Sequence, residues 1–585
     1  MAEPPAQTDR DLDSIREART LARQAKAAQA LLADLTQEQV DRIVDAMASA
    51  AAAEAAAFAR LAVEDTGFGV EADKVRKNLF AAETIHRFIK PMRTVGVIAR
   101  HEDTRVVDIA EPFGVVAAVI PSTNPTSTAI YKILVCLKAR CAVVLSPHPS
   151  AVRSIRRVAE VMTAAATAAG APAGAISCMQ VVTLEGTQEL MRRREVALIL
   201  ATGGLALVRA AYSAGKPAYG VGPGNAPAYI ERTADLPKAV ADIITGKTFD
   251  NGVLCSSENS VVVDEAISGE ARHEFTRQGG HFLRPDEAAR LAAVLVTSDR
   301  LPNPALVGRT ALEIANLVGI DVPPDTRVLI APLDGVGRDY PLSMEKLCPV
   351  LSFYVVSDWR EGCTRCQEIL RYGGMGHTMS IHSQDERVIL EFGLKKSAFR
   401  IVVNTPTTLG SIGMTTGLSP SMTLGCGGHG GNITSDNITP LHLLNTKRLA
   451  YELRPAKTLG EAAGAATQPR LPEAPARPAR SGMDPALLTR RIDAFLATRG
   501  ISAAPGASPV PTPAPDQAPR RSDEPHAAVV TSTPDAPVDF VCEDDVRQAL
   551  REKRRIAVGE RTIITPSARD LAQQHRVFVP ADVPR

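Results

Sequence analysis

Hydrophobic and polar residues alternate along most of the chain in the pattern of an α/β protein. Residues 10 to about 65 carry apolar residues at helical spacing, and Thr36 with Gln39 has the pattern of a helix capping box. From about residue 112 onward, short β-rich runs such as FGVVAAVI and VALILAT alternate with helical runs such as STAIYKILVCLKAR. Strands separated by helix-length segments predict a parallel, doubly wound sheet. The alternation resumes after about residue 228, which predicts a second α/β domain.

Beyond Pro455 the pattern changes to Pro- and Ala-rich stretches interrupted by two shorter segments with apolar patterning. The Pro-rich stretches can bury little apolar surface, so they predict a flexible tail. Residues 483–501 predict a short amphipathic helix, and the residues after 537 predict a small α/β segment. The apolar face of that helix is formed by Leu488, Ile492, Phe495 and Leu496.

Composition narrows the classes of protein that this chain can belong to. Its 585 residues are too many for one core, and 45% hydrophobic with 22% charged residues predicts a mostly globular chain. A net charge of +1 gives no reason to expect a nucleic acid or an anionic membrane as partner. Nine sparse cysteines favour a reducing, cytoplasmic setting over a disulfide framework. We expect neither a signal peptide at the start, MAEPPAQTDRDLD, nor a membrane span.

One cysteine, Cys255, stands in a polar stretch, TFDNGVLCSSENS. Cysteine is usually buried and inert, whereas its thiolate is a strong nucleophile, and a polar turn lined by amides predicts a pKa below about 8.5. Cys136 and Cys178 lie in apolar runs and are interpreted as packing residues. Cys363 and Cys366 form a C-x-x-C pair without a second pair or a nearby His, which favours two cysteines on one helix and no metal site.

Two turns between strands and helices carry further candidate chemistry. In EPFGVVAAVIPSTNPTSTAIYK, Asn124 follows a strand, where its amide can donate into a cleft; the plainer interpretation is an Asx turn or a helix N-cap. Gly203 and Gly204 separate a strand from a helix, where free amides favour a phosphate. The stretch GVGPG contains Pro223 and opens no helix, so it indicates a tight turn with close backbone approach.

Six motifs occur in the order found in the aldehyde dehydrogenase superfamily, and in detail the sequence resembles its CoA-acylating branch. They are TNPTSTAIYK, SPHPSA, ATGG, GKPAYGVGPGNAP, FDNGVLCSSE and MEKLCPVLSFY, and GCGGHGGNITSDNITPLHLLNTKRLAYE is likewise similar. That branch includes acetaldehyde and propionaldehyde dehydrogenases of bacterial microcompartments. The resemblance spans roughly residues 10 to 455. It implies an aldehyde dehydrogenase-like fold with two doubly wound α/β domains, for cofactor and catalysis, and an oligomerisation hairpin.

The resemblance implies roles for individual residues. Cys255 would be the nucleophile, Asn124 with the Cys255 amide would form the oxyanion hole, and Glu345 would hold the nicotinamide ribose. The implied cofactor is NAD, with NADP left open because Ser146 stands where hydrolytic members carry a lysine; coenzyme A would be the co-substrate. The other implied cofactor contacts lie at three strand ends: Pro121, Ser122, Thr123, Ser146, Pro147, His148, Thr202, Gly203 and Gly204.

One departure from the hydrolytic members points to the acyl acceptor. Their ELGGK segment contains a glutamate that activates water, and here Val221 of VGPGN takes its place. Valine cannot act as a general base, so water should attack a thioester slowly, while a thiol is already a few per cent ionised near pH 7. We therefore expect a CoA-acylating dehydrogenase of short-chain aldehydes. The alternatives are a hydrolytic enzyme with an unusual base and a non-catalytic assembly protein. His377 in GMGHT either contacts coenzyme A or is a structural histidine.

The tail helix resembles the encapsulation peptides that bring enzymes into bacterial microcompartments. This implies microcompartment shell proteins as partners and the compartment lumen, within the cytoplasm, as the location. The plainer interpretation is a loosely attached surface helix or a helix that packs on its own oligomer. The family elements imply a homodimer or tetramer. The expected segments are a cofactor domain at 1–228 with a hairpin near 96–112, a catalytic domain at 229–433, an oligomerisation segment at 434–455, linkers at 456–482 and 502–536, the helix at 483–501 and the module at 537–585.

Overall fold

A computed structural model of this protein describes residues 5–298, 300–454, 490, 538–552, 554–575 and 577–580. The chain divides into two units, one up to Ala466 and one from Thr467 onward, and each is described by itself. The linkers and the helix expected at 483–501 lie outside the described residues, apart from Arg490.

Helices open the first unit, as the spacing of apolar residues predicts. The Thr36–Gln39 capping box is confirmed, because Thr36 Oγ1 accepts from the Gln39 amide and Gln39 Oε1 accepts from the Thr36 amide at 2.8 Å. These helices are α1 (Pro5–Ala33), α2 (Gln37–Ala53), α3 (Ala55–Thr66), α4 (Glu71–Leu79) and, after a π-helical turn at Phe80–Ile85, α5 (His86–Ile89). A hairpin follows, formed by β1 (Gly96–His101) and β2 (Val106–Pro112).

The first doubly wound sheet has five parallel strands in the order β5-β4-β3-β6-β7. Its strands are β3 (Val115–Ile120), β4 (Val143–Pro147), β5 (Ile176–Cys178), β6 (Val196–Thr202) and β7 (Ala218–Val221), and its helices are α6 (Pro125–Lys138), α7 (Val152–Ala168), α8 (Leu184–Arg192) and α9 (Leu205–Tyr212). Every residue of β3 and β4 is buried, since helices cover both faces of a parallel sheet. The strand order reverses between β3 and β6, where open α/β sheets bind ligands beyond the carboxyl ends of their strands.

The second sheet has seven parallel strands in the order β10-β11-β12-β9-β8-β13-β14. Its strands are β8 (Ala226–Ile230), β9 (Glu258–Asp264), β10 (Gly280–Phe282), β11 (Val328–Pro332), β12 (Val350–Val356), β13 (Gly376–His382) and β14 (Ala398–Val403). Its helices are α10 (Leu236–Thr248), α11 (Glu265–Arg277), α12 (Pro285–Leu295), α13 (Ala311–Leu317), α14 (Trp359–Gly373), α15 (Glu386–Leu394) and α16 (Thr407–Ser411). The chain passes from the first sheet to the second between Val221 and Ala226, so the boundary expected at residue 228 falls inside β8.

A three-stranded antiparallel sheet completes the first unit. The hairpin β1–β2 is extended by β15 (Leu444–Ala450), in which Thr446 pairs with Ala110. Six of the seven β15 residues are exposed. Among the described residues, no single helix has the length and hydrophobicity of a membrane span; only α2 and α3 taken together, bent by 64°, meet both measures.

The second unit contains a small parallel sheet in the order β16-β17-β18. Its elements are β16 (Val538–Val541), α17 (Glu543–Arg551), β17 (Ile556–Ile564), α18 (Pro566–His575) and β18 (Phe578–Pro580). Val541, Val546 and Ala568 are among the residues of its own apolar core. Sequence patterning missed β16 and divided β17 into two strands, because GER at its centre has the polarity of a turn.

Candidate active site

Cys255 follows a tight 3-10 turn at Phe249–Gly252 and precedes β9. Within this turn Asp250 and Asn251 have φ of 49° and 51°, a conformation that costs a non-glycine residue about 1 kcal/mol or more. Contacts to other segments hold the turn: Asp250 Oδ1 accepts from the Val70 amide at 2.6 Å, and Asn251 Nδ2 donates to the Gly308 carbonyl at 2.8 Å. The polar residues of FDNGVLC therefore fix the path of the chain toward the cysteine. We name residues 249–255 the cysteine loop.

Cys255 lines a cleft of about 640 Å³ at the carboxyl ends of the first sheet. Asn124, expected in the oxyanion hole, lines the same cleft. So do nearly all the residues expected at the cofactor: Pro121, Ser122, Thr123, Pro147, His148, Thr202, Gly203, Gly204 and Glu345. Ser146 is the exception. Its side chain is fully buried and its Oγ lies 2.8 Å from Thr187 Oγ1, so Ser146 is satisfied behind the cleft and does not line it.

The turn after β6 fits a phosphate-bearing dinucleotide. The Thr202 Oγ1 atom is buried without a hydrogen-bond partner in the described part of the chain. Helix α9 begins after Gly204 with no side chain capping its first amides, and these amides favour an anion. A Cβ at Gly203 would lie 2.6 Å from Leu207 Cδ2, so the end of the leucine side chain would have to move aside.

Asn124 stands at the N-cap position of α6, yet its side chain makes no capping hydrogen bond. Its Oδ1 accepts from Lys77 Nζ at 2.6 Å. Its Nδ2 donates to Thr123 Oγ1 at 3.1 Å and makes a long contact of 3.5 Å with the carbonyl of Val253 in the cysteine loop. The interpretation of Asn124 as a simple cap or Asx turn is therefore wrong. The donor end of the amide is directed toward the segment that carries Cys255.

The expectation of a low pKa for Cys255 is wrong. Burial raises the pKa of its thiol to about 12, and the negative charge of Glu345 acts in the same direction. The positive charge of Arg400 lowers it by a smaller amount. Desolvation thus outweighs the amides of the turn, and the thiol holds its proton near neutral pH.

Glu345 connects the GVGPG turn to the cleft. Its Oε1 accepts from the Gly224 amide at 2.8 Å, and burial raises the pKa of its carboxyl group to about 8. A Cβ at Gly224 would lie 2.0 Å from the Cys255 carbonyl oxygen. The predicted close approach of backbones is confirmed at Gly224, because this turn packs directly on the cysteine loop.

His377 lies behind the cysteine loop and is buried. Its Cδ2 would be 3.3 Å from a Cβ at Gly224. Its Nδ1 is 2.9 Å from Thr378 Oγ1, whereas Nε2 is buried and has no partner among the residues that the structure describes. Burial, with a contribution from Arg400, lowers the pKa of His377 to about 3, so the ring is neutral.

Sequence reasoning missed three residues that shape this site: Lys77, Asp250 and Arg400. Arg400 is buried and donates to the carbonyl oxygens of His377 and Ser435, both at 2.9 Å. Asp250 could have been found, because it lies inside the quoted motif FDNGVLC. Lys77 and Arg400 carry no local signal in the sequence, since only the tertiary fold brings Lys77 to Asn124 and Arg400 to His377.

The two cysteines of the C-x-x-C pair lie on one helix, as predicted. Cys363 and Cys366 lie on α14 and are buried, and Cys363 contacts Lys396 Nζ. In the described ranges no group of three or more His, Cys, Asp or Glu side chains is arranged to hold a metal ion.

The geometry agrees with comparisons to known proteins. A family model described as "Aldehyde dehydrogenase family" matches residues 9–429. The bifunctional aldehyde-alcohol dehydrogenase AdhE of Escherichia coli K12 is 41% identical over 442 residues, which are 75% of this chain and 50% of AdhE. The chain thus spans about half the length of the bifunctional relatives it matches.

Solved structures extend the similarity to the whole fold of the first unit. An acetylating aldehyde dehydrogenase from Geobacillus thermoglucosidasius has a TM-score of 0.75 and 49% identity, covering 76% of this chain and 98% of its own. A propionaldehyde dehydrogenase from the Clostridium phytofermentans fucose utilisation bacterial microcompartment has a TM-score of 0.68 and 27% identity, with 74% and 97% covered.

Proposed function

Because this chain belongs to the aldehyde dehydrogenase family, we propose that it oxidises a short-chain aldehyde and transfers the acyl group from Cys255 to coenzyme A. The observation that carries the proposal is Val221. It ends β7, is 2% exposed and lines the cleft beside Cys255, at the position where hydrolytic members of the family carry their water-activating glutamate. An apolar side chain there leaves the thioester without a base for water.

The residues of the cleft support a two-stage reaction. In the first stage the Cys255 thiol releases its proton to solvent and its sulfur bonds to the aldehyde carbon. The carbonyl π bond opens, and the Asn124 Nδ2 and the Cys255 amide stabilise the oxygen, which becomes negatively charged. A nicotinamide cofactor held by Thr202, Gly203, Gly204 and Glu345 would supply the acceptor for the hydride that leaves this carbon. In the second stage the sulfur of coenzyme A attacks the thioester carbon, the bond to Cys255 Sγ breaks, and Cys255 regains a proton.

The cofactor proposal is NAD, with NADP as the alternative. Thr202, Gly203 and Gly204 would hold the phosphates, and Glu345 would contact the nicotinamide ribose. Of the expected contacts, Ser146 is excluded from a direct role by its hydrogen bond to Thr187 behind the cleft. His148 lines the cleft and is exposed, so it is the better candidate for sensing a phosphate on the adenosine ribose.

A product assay tests the reaction. Purified protein is incubated with short aldehydes and either NAD or NADP, each with and without coenzyme A, and acyl-CoA and free acid are quantified by mass spectrometry. We expect acyl-CoA that depends on added coenzyme A, and none with Cys255→Ala. Free acid formed equally well without coenzyme A would replace this proposal by hydrolysis.

Hydrolysis remains the second candidate because of one observation on Glu345. Glu345 is the sole carboxylate among the residues described as lining the cleft, and its pKa of about 8 is suited to a base. If the protein is hydrolytic, Glu345→Gln should abolish free acid formation. If it acylates coenzyme A, the same variant should mainly weaken cofactor binding. An assembly protein without catalysis would show neither effect, nor any change on Cys255→Ala.

The location that we propose is the lumen of a bacterial microcompartment, with shell proteins as partners. The proposal is supported by the amphipathic pattern of 483–501, which lies outside the described residues, and by the microcompartment origin of the similar propionaldehyde dehydrogenase. Deleting 483–501 should leave turnover intact and abolish co-purification with shell proteins. Unchanged shell association would remove this part of the proposal.

A homodimer or tetramer is proposed from the edges of two sheets. Strand β15 borders its sheet and is almost wholly exposed, with Leu449 51% exposed. Strand β14 borders the seven-stranded sheet, and its Phe399 is 44% exposed. Exposed edges with large apolar side chains favour pairing with another chain. Sedimentation of the full chain tests this, and a monomer at micromolar concentration would contradict it.

A further inference from the structure

Helix α4 buries two lysines in the first unit, and the reaction proposed above gives neither of them a role. Lys74 and Lys77 are 2% and 1% exposed, and both pair with the fully buried carboxylate of Asp250, Lys74 at 2.9 Å. Burying two ammonium groups against one shared carboxylate is costly, so a role beyond packing is expected. The contacts of the two lysines differ at one point. Lys77 Nζ also donates to Asn124 Oδ1 at 2.6 Å, whereas Lys74 Nζ makes a long contact of 3.4 Å with the Thr123 carbonyl.

The ammonium of Lys77 decides which end of the Asn124 amide faces Cys255. An asparagine side chain has an acceptor end and a donor end, and turning it by 180° exchanges them. An ammonium group only donates, so the end that faces Lys77 must be Oδ1. Nδ2 is therefore left to face the Val253 carbonyl in the cysteine loop. With the amide reversed, a carbonyl oxygen would face the developing oxyanion and repel it.

The same ammonium ties the amide to the loop that carries the nucleophile. Asp250 accepts from Lys77, Lys74 and the Val70 amide, and its own amide donates to Asp73 Oδ2 at 2.8 Å. Asp250 lies five residues before Cys255 in the strained turn, whereas Asn124 follows a strand of the first sheet. Lys77 thus joins the two segments whose relative position sets the distance between sulfur and oxyanion donor.

We infer that Lys77 is a positioning residue for catalysis: it orients the Asn124 amide as an oxyanion donor and couples that amide to the cysteine loop through Asp250. This inference rests on the function proposed above. The positive charge of Lys77 beside Oδ1 also draws electrons from the amide, which makes the Nδ2 hydrogens better donors. Lys77 touches no reacting atom and acts through Asn124.

Acylation of Cys255 by p-nitrophenyl acetate tests the inference independently of cofactor and coenzyme A. Sulfur attack on this ester passes through an oxyanion, and the released p-nitrophenolate gives the rate. Because loss of one oxyanion donor typically costs about 10²–10³-fold, we expect Lys77→Met to slow acylation about tenfold to hundredfold. Lys74→Met is the matched control, since it also removes one cation from Asp250 but leaves Asn124 Oδ1 paired; it should lose no more than about threefold.

A double-mutant cycle separates positioning from general damage. If Lys77 acts through Asn124, the Lys77→Met substitution should have little further effect in an Asn124→Ala background. Alkylation of Cys255 by iodoacetamide forms no oxyanion, so its rate should be unchanged in Lys77→Met. If Lys77→Met gives no folded protein by circular dichroism, Lys77→Gln takes its place in the cycle, because a glutamine amide can either donate or accept and so no longer enforces one orientation of Asn124.

Two results would overturn the inference. One is an equal loss of acylation rate in Lys77→Met and Lys74→Met. The other is a double variant whose loss of acylation rate equals the product of the losses in Lys77→Met and Asn124→Ala. Neither depends on the identity of the acyl acceptor. A wild-type protein that makes no acyl-CoA from aldehyde, but in which the cycle shows coupling, would defeat the proposed function and leave the role of Lys77 standing.

Discussion

At the scale of single residues, the behaviour of the site depends on how Cys255 loses its proton. The pKa of this thiol is raised to about 12 by burial and by Glu345, so only a small fraction is thiolate at neutral pH. Because iodoacetamide reacts with the thiolate, its rate of alkylation at Cys255 should rise continuously from pH 7 to pH 10. The rise should be less than tenfold per pH unit between pH 7 and pH 9, where Glu345 gains its charge, and about tenfold between pH 9 and pH 10. Peptide mass spectrometry at each pH measures this rate. A plateau below pH 9 would show that the thiol ionises more easily than its surroundings indicate.

The charge on Glu345 should make this profile differ between variants. Glu345 has a pKa raised to about 8 by burial, so it is mostly neutral below pH 7 and mostly charged above pH 9. Since its negative charge raises the pKa of Cys255, Glu345→Gln should speed alkylation roughly threefold to tenfold at pH 9 and leave it unchanged at pH 6. The same alkylation assay compares the two proteins. Equal rates at pH 9 would mean that Glu345 exerts no field on the sulfur.

The sequence predicted which residues line the cleft better than it predicted their pKa values and hydrogen bonds. The ordered motifs brought Cys255, Asn124 and Glu345 together, and the cleft contains all three. The sign of the Cys255 pKa shift could not be read from TFDNGVLCSSENS, because local polarity does not reveal burial by distant segments. Ser146 was misjudged for the same reason, since Thr187, 41 residues away, satisfies its hydroxyl group.

At the scale of elements, the turn between β7 and β8 packs directly against the backbone of the cysteine loop. A Cβ at Gly224 would lie 2.0 Å from the Cys255 carbonyl oxygen, which is backbone and cannot turn aside. Gly224→Ala should therefore displace the loop by about 1 Å and lower kcat about 100-fold, while Gly269→Ala, where a Cβ meets open space on the exposed side of α11, should change it little. Steady-state kinetics of both variants provide the measurement. Similar kcat values for the two would show that the loop can give way.

Strands with long apolar runs were predicted from the sequence, whereas short strands and long-range contacts were not. Strands β3, β4 and β6 were predicted because parallel strands buried on both faces are continuous apolar runs. Strand β16 was missed because VDFV is only four residues long and follows a Pro-rich stretch. The bond from Lys77 to Asn124 joins residues 47 apart, on a helix and a turn, and no periodicity records it.

At the scale of the whole molecule, every candidate site residue lies in the first unit, before Ala466. Removing residues 456–585 should therefore leave kcat and the thermal midpoint of the first unit within about twofold and a few degrees of the full chain. Kinetics and calorimetry of the shortened protein measure both. A large loss of activity would place a function in the tail that the described residues do not reveal.

The shared carboxylate of Asp250 has a consequence for how this protein could be divided. A cut between β7 and β8 would leave Lys77 and Asn124 on one piece and Asp250 with Cys255 on the other. The first piece would then expose Lys74 and Lys77 without their carboxylate, and the second would expose Asp250 without its lysines. The intact chain buries all three groups together. Mixing the two pieces should restore both the ion pairs and the catalytic centre together, so regained turnover would serve as a direct readout of fragment complementation.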